Sequence, residues 1–358
     1  MTRKLTMLAG SFALLASSAL TTLAADQEIS WIYCGDKIDP IHEKYIAEWE
    51  GKNAGWKVKP EVVGWEQCQD KATTLAVAGT PVAMAYVGSR TLKEFAQNDL
   101  IVAVPMTDEE KASYYPNIVD TVTFEDTQWG VPIAFSTKAL YWNKDLFKAA
   151  GLDPETPPKT WEEEIAFAKQ IKEKTGTAGY GLPAKTFDNT MHQFMHWVYT
   201  NNGKVGMIQA GSGAAYRLKD TKVNWGVAPL PKGPSAKGEG TLLITDSLAI
   251  FKGSGVEEKA TEFAKYITST DIQHEYELQG GAGLTPLRPG AVVDQFVANE
   301  PFWKPFIDGI AYGGPEPLFT DYKGFQNVMI EMVQSVVTGK AEPADALKKA
   351  AGELEQYK

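Results

Sequence analysis

Asp36, Trp65, Gln67, Ser89, Arg90, Ser136, Thr137, Asp188, Asn189 and His192 are residue types that hold a small polar molecule without breaking a bond in it. A carboxylate such as Asp36 accepts two hydroxyls at once in short charge-assisted bonds. The flat apolar face of Trp65 suits the C–H face of a sugar ring. Several of these residues have a second reading that stays open. Asp36 could cap a helix beginning near Ile38, and Asp188 or Asn189 could cap the next helix. Arg90 could form a surface ion pair. Gln67 is read as facing a cleft, and Gln69 as solvated. His192 and His196 stand four apart, a spacing that also suits metal ligands, but no HExxH pattern accompanies them. His192 is therefore read as a hydrogen-bonding residue. The chain has no nucleophile elbow, no P-loop and no dinucleotide fingerprint; Gly211 to Ala215 (GSGAA) lacks the final glycine and the acidic follow-on. A glycosidase would need a carboxylate pair across a cleft, and no pair is singled out. Neither a cofactor nor a metal is expected.

The elements that must position these side chains follow from periodicity. Ile29–Tyr33, Trp56–Val63 and Val82–Val87 read as strands, alternating with helices over 38–53, 65–78 and 92–98. This βαβαβ order implies a parallel α/β sheet, whose ligands bind beyond the C-terminal strand ends. Cys34-Gly35-Asp36, Trp65-Glu66-Gln67 and Gly88-Ser89-Arg90 then share one rim. Val131–Trp142 reads as a long apolar strand interrupted by Ser136, Thr137 and Lys138. Unpaired polar groups are costly to bury, so a strand crossing an open cleft explains the interruption. Asn143 caps a helix over 144–150 that ends at Gly151. Thr160 and Glu163 form a capping box for a helix starting at Trp161. Further on, strands are expected at 205–209, 224–227 and 242–251. Helices are expected at 191–199, 257–268, 272–278, 325–337 and 343–356.

The first 24 residues read as a secretory leader. Arg3 and Lys4 precede an apolar run, and Thr22-Leu23-Ala24 forms a small-residue cleavage site. The expected destination is the periplasm. The 358-residue chain leaves ample length for two domains after the leader is removed. Its net charge of −10 argues against nucleic acid and anionic membranes as partners. Cys34 and Cys68, the only cysteines, either pair in an oxidising compartment or stand as two separate buried hydrophobes.

The stretch Gly130–Glu163 (GVPIAFSTKALYWNKDLFKAAGLDPETPPKTWEE) resembles the hallmark segment of the carbohydrate-binding family of extracellular solute-binding proteins, the maltose-binding-protein-like receptors of ABC sugar importers. NWGVAPLPKG, the strand ending AIFKGS, EKATEFAKYITS and GGAGLTPLRPG extend the likeness over most of the chain. The resemblance implies two α/β lobes of the type II periplasmic binding-protein kind, each discontinuous in sequence and joined by crossing strands. The division is expected at 25–135 plus 243–300 for the first lobe and 136–242 plus 301–358 for the second. A neutral sugar or polyol is the implied ligand, and an anionic sugar derivative is the alternative. The implied partners are a permease pair with its cytoplasmic ATPase, and a monomer is expected. Arg288 matches a family position facing the cleft, and Ser212 stands in a GSG where the family often carries an aromatic. The chain departs from the family at Asn202-Gly203-Lys204, where several helices are missing. The second lobe is therefore expected to be shortened.

Overall fold

In a computed structural model, which describes residues 27–181, 205–278, 287–315 and 321–357, the first elements follow the alternation of the sequence. They are β1 (Gln27–Cys34), α1 (Pro40–Lys52), β2 (Trp56–Val63), α2 (Trp65–Val77) and β3 (Met84–Gly88). β1 runs parallel to β2 on one side and to β3 on the other. All five residues of β3 are buried, as expected of a parallel strand covered on both faces. α1 starts at Pro40, whose fixed φ suits the first helical position, with Asp39 extended before it.

Short helices follow: α3 (Leu92–Gln97), α4 (Asp108–Ala112) and α5 (Pro116–Thr121). A small hairpin of β4 (Thr123–Phe124) and β5 (Thr127–Gln128) turns through Glu125 and Asp126. Both turn residues have positive φ, 49° and 58°, as a two-residue hairpin loop demands. The chain then enters β6 (Val131–Asn143), 13 residues long.

After β6 come α6 (Lys144–Ala150), α7 (Trp161–Thr175), β7 (Ala178–Tyr180), β8 (Val205–Gly211), α8 (Ser212–Leu218), β9 (Trp225–Ala228) and β10 (Thr241–Ile250). Gly151 ends α6 in the left-handed conformation at φ 78°, and Asn143 caps its start by accepting from the Leu146 N–H at 3.0 Å. The final elements are α9 (Glu257–Ile267), α10 (Thr270–Leu278), α11 (Ala291–Asn299), α12 (Lys304–Asp308), β11 (Gly313–Pro315), α13 (Tyr322–Val337) and α14 (Pro343–Leu354).

β6 links two halves of one sheet of order β2-β1-β3-β10-β6-β8-β7. Its residues 131–137 pair with β10, and its residues 138–143 pair with β8 on one side and β9 on the other. β10 returns antiparallel to both β6 and β3. The chain therefore crosses from the first half to the second in β6 and comes back in β10. A large core built on Trp31, Phe95, Phe251 and Phe263 lies in the first half. The second half has its own cores. One gathers Tyr141, Phe296, Trp303 and Phe306 against β8 and α8, and another gathers Trp142, Phe147 and Ile171 beneath α6 and α7. Among the described residues no helix is long and apolar enough to cross a membrane. The Asn202-Gly203-Lys204 junction and the helix expected over 191–199 lie outside the described residues.

Candidate functional site

The C-terminal ends of β1 and β3 meet the middle of β10 at one edge of the first half. β1 ends at Cys34, and Gly35 turns the chain with φ 151°, leaving Asp36 exposed. Cys34 is joined by a disulfide to Cys68 in the first turns of α2, with Cα atoms 5.5 Å apart. Loop-closure entropy across that separation of 34 residues corresponds to about 3–4 kcal/mol. The bridge holds the start of α2 against the sheet, and with it Trp65. The Trp65 ring meets the Tyr86 ring edge-on, with centroids 5.0 Å apart. The Tyr86 hydroxyl donates to Asp246 Oδ2 at 3.2 Å. Burial, aided by the Asp246 carboxylate, holds the Tyr86 pKa well above the usual tyrosine value, so the hydroxyl keeps its proton.

Strand register explains why Asp246 stands here. It pairs with Gly88 at the end of β3 and with Ala134 in β6, at a shift in the ladder between Asp246 and Ser247. Directly paired residues share a sheet face, so Asp246 lies on the face of Ala134 and Ser136, the latter opposite Ile244. Ser136 and Asp246 are diagonal neighbours, about 7–8 Å apart in such a ladder. Both are half-buried. Gly88 lets the Arg90 guanidinium lie against the end of β3 here, because a Cβ there would run into it. The result is a wall carrying an aromatic edge, a phenol, a carboxylate and a hydroxyl.

The other sequence candidates are distributed unevenly. Thr137 points to the opposite face, fully buried, and donates to the Phe306 carbonyl at 2.9 Å beside Gly309. It locks β6 to α12. Gln67 is exposed, whereas Gln69, read as solvated, is half-buried and accepts from the Gly88 N–H at 3.2 Å. The helical turn from Trp65 places position 69 toward the sheet and position 67 away from it. Asp36 does not cap α1; Asp39 holds that position, without a side-chain bond. Ser89 is buried in a short 3-10 turn, and the Arg90 guanidinium lies 5.3 Å over the Tyr322 ring. Ser212 is buried at the first position of α8. The Tyr141 hydroxyl serves that helix end, donating to the Gly211 carbonyl at 2.8 Å and accepting from the Ala215 N–H at 3.1 Å. Asp188, Asn189, His192 and His196 lie outside the described residues. Among the described residues no group of three or more His, Cys, Asp or Glu could hold a metal ion.

Arg288 is only 4 % exposed, inside the first half. Its Nη2 donates to the Thr268 carbonyl at 2.8 Å, its Nε to Ser113 Oγ at 3.2 Å, and its plane covers the Tyr114 ring at 4.0 Å. Nearby, Glu277 accepts from the Leu287 N–H at 2.9 Å. Burial pushes the Glu277 carboxyl up to about 7, against the lowering effects of that N–H, Arg288 and Gln273. This cluster ties α4, α9 and α10 together beneath the sheet.

The sequence reading missed Tyr86 and Asp246. Asp246 had a visible signal, because it interrupts the apolar return strand (TLLITDSLAI) just as Ser136 interrupts β6. A half-open surface pocket in the second half, walled by Tyr141, Ile208, Leu218, Val223 and Trp225, is almost wholly apolar. It offers little to a hydroxylated ligand.

The sequence profile of the bacterial extracellular solute-binding proteins matches residues 36–274. A binding protein of Brucella abortus (strain 2308) is 26% identical over 374 residues, covering 89% of this chain and 90% of that protein. The sn-glycerol-3-phosphate-binding periplasmic protein UgpB of Escherichia coli O6:K15:H31 (strain 536 / UPEC) is 25% identical over 398 residues, covering 88% of each chain. An ABC transporter solute-binding protein from Thermotoga lettingae TMO, solved bound with alpha-D-tagatose, superposes with a TM-score of 0.75 at 22% identity, over 92% of this chain and 99% of that one. The two sheet halves joined by crossing strands are thus the two-lobe solute-binding architecture.

Proposed function

Since the chain belongs to the bacterial extracellular solute-binding proteins, we propose that it captures a sugar or polyol between its two lobes and delivers it to an ABC import permease pair driven by a cytoplasmic ATPase. The observation that carries this reading is the Trp65–Tyr86–Asp246 wall with Ser136 beside it, set at the ends of parallel strands on the two segments that cross between the lobes. We take the lobes as 25–135 with 243–290 and 136–242 with 291–358, because Phe296 packs in the second-half core. The protein reaches the periplasm after loss of residues 1–24 and acts as a monomer.

The open form binds ligand on the first lobe, and closure brings the second lobe down to exclude water. The ligand shifts this equilibrium only by its preference for the closed form. A micromolar constant corresponds to about −8 kcal/mol, within reach of several charge-assisted hydrogen bonds and one or two aromatic contacts. The relatives are binding proteins rather than enzymes, and the ligand is expected to leave chemically unchanged. A second reading, an anionic polyol, is favoured by the likeness to a glycerol-3-phosphate-binding relative.

The test is a thermal-shift screen of the leaderless protein against neutral mono- and disaccharides, polyols and phosphorylated sugars. A bound ligand at a hundred times its dissociation constant adds about 2.7 kcal/mol of stability and raises the melting temperature. A hit recovered intact supports the receptor. Conversion of the hit to product overturns it in favour of a secreted enzyme.

A further inference from the structure

The receptor reading puts Trp65 in the ligand wall, and the apolar packing that holds it there is slight. Among the described residues of α2 only Cys68 and Ala72 are buried, while Trp65, Leu75 and Ala76 pack part-buried on the sheet. α1 and α9 cover the same lobe with bulkier buried anchors, Ile41, Ile46 and Trp49 in one and Phe263 and Ile267 in the other. Apolar attachment scales with the area removed from water, so the α2 seam is the weakest of these three. The helix start adds little. Its N-cap is Gly64, which has no side chain to cap with and open space around it. Isolated helices shorter than about 12–15 residues are marginal in water, and α2 has 13. Two polar ties reach the sheet, the bond from the Gly88 N–H to Gln69 and a surface pair between Lys71 and Glu61, and exposed pairs contribute little.

The Cys34–Cys68 bridge is a tie of another kind. Cys34 is the last residue of β1 and pairs in register with Val63 at the end of β2, so the bridge fastens α2 where both strands end. Its sulfurs lie 3.2 and 3.9 Å from the Tyr86 carbonyl oxygen, and the Trp65 ring meets the ring of that same residue. Positions 65 and 68 are nearly one helical turn apart, so fixing Cys68 fixes the rotation of α2 that sets Trp65 on Tyr86. A helix free to turn or lift about Gly64 would carry Trp65 away from the wall.

Resting on the receptor reading, we propose that Cys34 and Cys68 are positioning residues for ligand binding. Their bridge, rather than apolar packing, fixes α2 and presents Trp65 to the ligand. Both cysteines are buried, so the bridge acts through Trp65 and not by touching the ligand. It orders the rim in advance, which lowers the entropy cost of binding.

Hydrogen exchange and isothermal titration of the leaderless wild type, the Cys34→Ala/Cys68→Ala double variant, Trp65→Ala and the triple variant test this. In the double variant the amides of 65–77 should exchange about tenfold faster or more while β1 and β3 stay protected, because the helix opens locally. Titration uses D-tagatose, maltose, mannobiose and sn-glycerol 3-phosphate. For whichever compound the wild type binds, loss of the bridge should weaken binding about tenfold, the factor that one aromatic contact supplies. Trp65→Ala should weaken it about as much, and the triple variant no more than Trp65→Ala alone. A bridge that only stabilised the fold would leave the affinity of the folded protein unchanged. Three results overturn the assignment while leaving the receptor intact. The first is α2 amides as well protected without the bridge as with it. The second is β1 and β3 losing protection together with α2, which makes the bridge a general fastening of the lobe. The third is affinity losses that add in the triple variant, which means the bridge acts through something other than Trp65. Failure of all four compounds to bind counts against the sugar-receptor reading itself, and the exchange of α2 still decides whether the bridge holds the helix.

Discussion

Thr137 in β6 and Asp246 in β10 interrupt two apolar strands that pair with each other, and they meet opposite fates. Thr137 is sealed against α12 with its hydroxyl spent on the Phe306 carbonyl. Asp246 stands half-buried at the strand ends of the first lobe, with Tyr86 orienting it. The two strands have the same composition logic. What separates the residues is the sheet face, and the face alternates with every step along a strand. The same division runs through the molecule. Glu277, Arg288 and His42 are buried polar groups that hold helices to the first lobe, whereas Asp36, Trp65, Asp246 and Ser136 line an accessible edge. Changes in the sealed set should move stability and leave ligand affinity alone; changes in the edge set should do the reverse.

The hardest test of that division is Arg288, a cleft candidate from sequence that is buried in the structure. Arg288→Met should remove the bonds to Thr268 and Ser113 and uncover Glu277, at a cost of about 3–5 kcal/mol. Urea denaturation reads this directly. Titration of the folded fraction with whichever sugar the wild type binds should return an unchanged constant. A variant of normal stability with lost affinity would place Arg288 in the ligand site and break the comparison.

Two sealed groups oppose each other in pH. His42 stacks on Tyr276 with ring centroids 4.6 Å apart, bonds the Tyr33 hydroxyl through Nδ1 at 2.9 Å, and has its pKa lowered by burial from 6.5 to about 4. A depressed folded pKa means stability present above 6.5 and lost as pH falls toward 4. Glu277 is the converse case, raised by burial from 4.5 to about 7. Its neutral form suits the fold, so stability is fully present below 4.5 and declines as pH rises to 7. Each shift corresponds to about 3 kcal/mol, and the two slopes nearly cancel where their windows overlap. Single variants should unmask them. Relative to wild type, Glu277→Gln should gain stability as pH rises from 4.5 to 7, and His42→Asn should gain as pH falls from 6.5 to 4. Urea midpoints across pH 4–7.5 decide it; a constant offset at every pH would sink the assignment for either residue.

These cases also show where the sequence was legible. The bounds of β2 and α6 and the start of α7 match the expected ones, because strand alternation, the Asn143 cap, the Gly151 stop and the Thr160 cap act within a few residues of chain. One detail of that last cap differs, since the Glu163 carboxylate takes the Lys159 N–H rather than the Thr160 N–H. α4, α5, α8 and α12 were not anticipated; at five to seven residues they are too short to display a helical period. The rim formed by the ends of β1 and β3 was legible from the α/β alternation alone. The fate of Arg288 was not, because its partners stand 20 and 175 residues away. Asp246 was legible in principle, since a carboxylate inside an apolar strand asks the same question as a hydroxyl does. Choosing between the two required the register of β10 against β3 and β6, which no local pattern encodes.

The smallest effects give the sharpest form of the comparison, because they come from adjacent residues. Thr137→Val keeps the shape of the side chain and leaves the Phe306 carbonyl without its donor, costing about 1–2 kcal/mol. Ser136→Ala removes a hydroxyl from the half-buried face and should change stability by no more than about 0.5 kcal/mol. For ligand affinity the order reverses. Thr137→Val should bind as wild type does, and Ser136→Ala should bind several-fold more weakly, since one net hydrogen bond contributes about 0.5–1.5 kcal/mol. Denaturation and titration on the same two preparations measure both quantities. If one variant lost both stability and affinity while its neighbour lost neither, the alternation of faces along β6 would not be what separates holding the fold from holding the ligand.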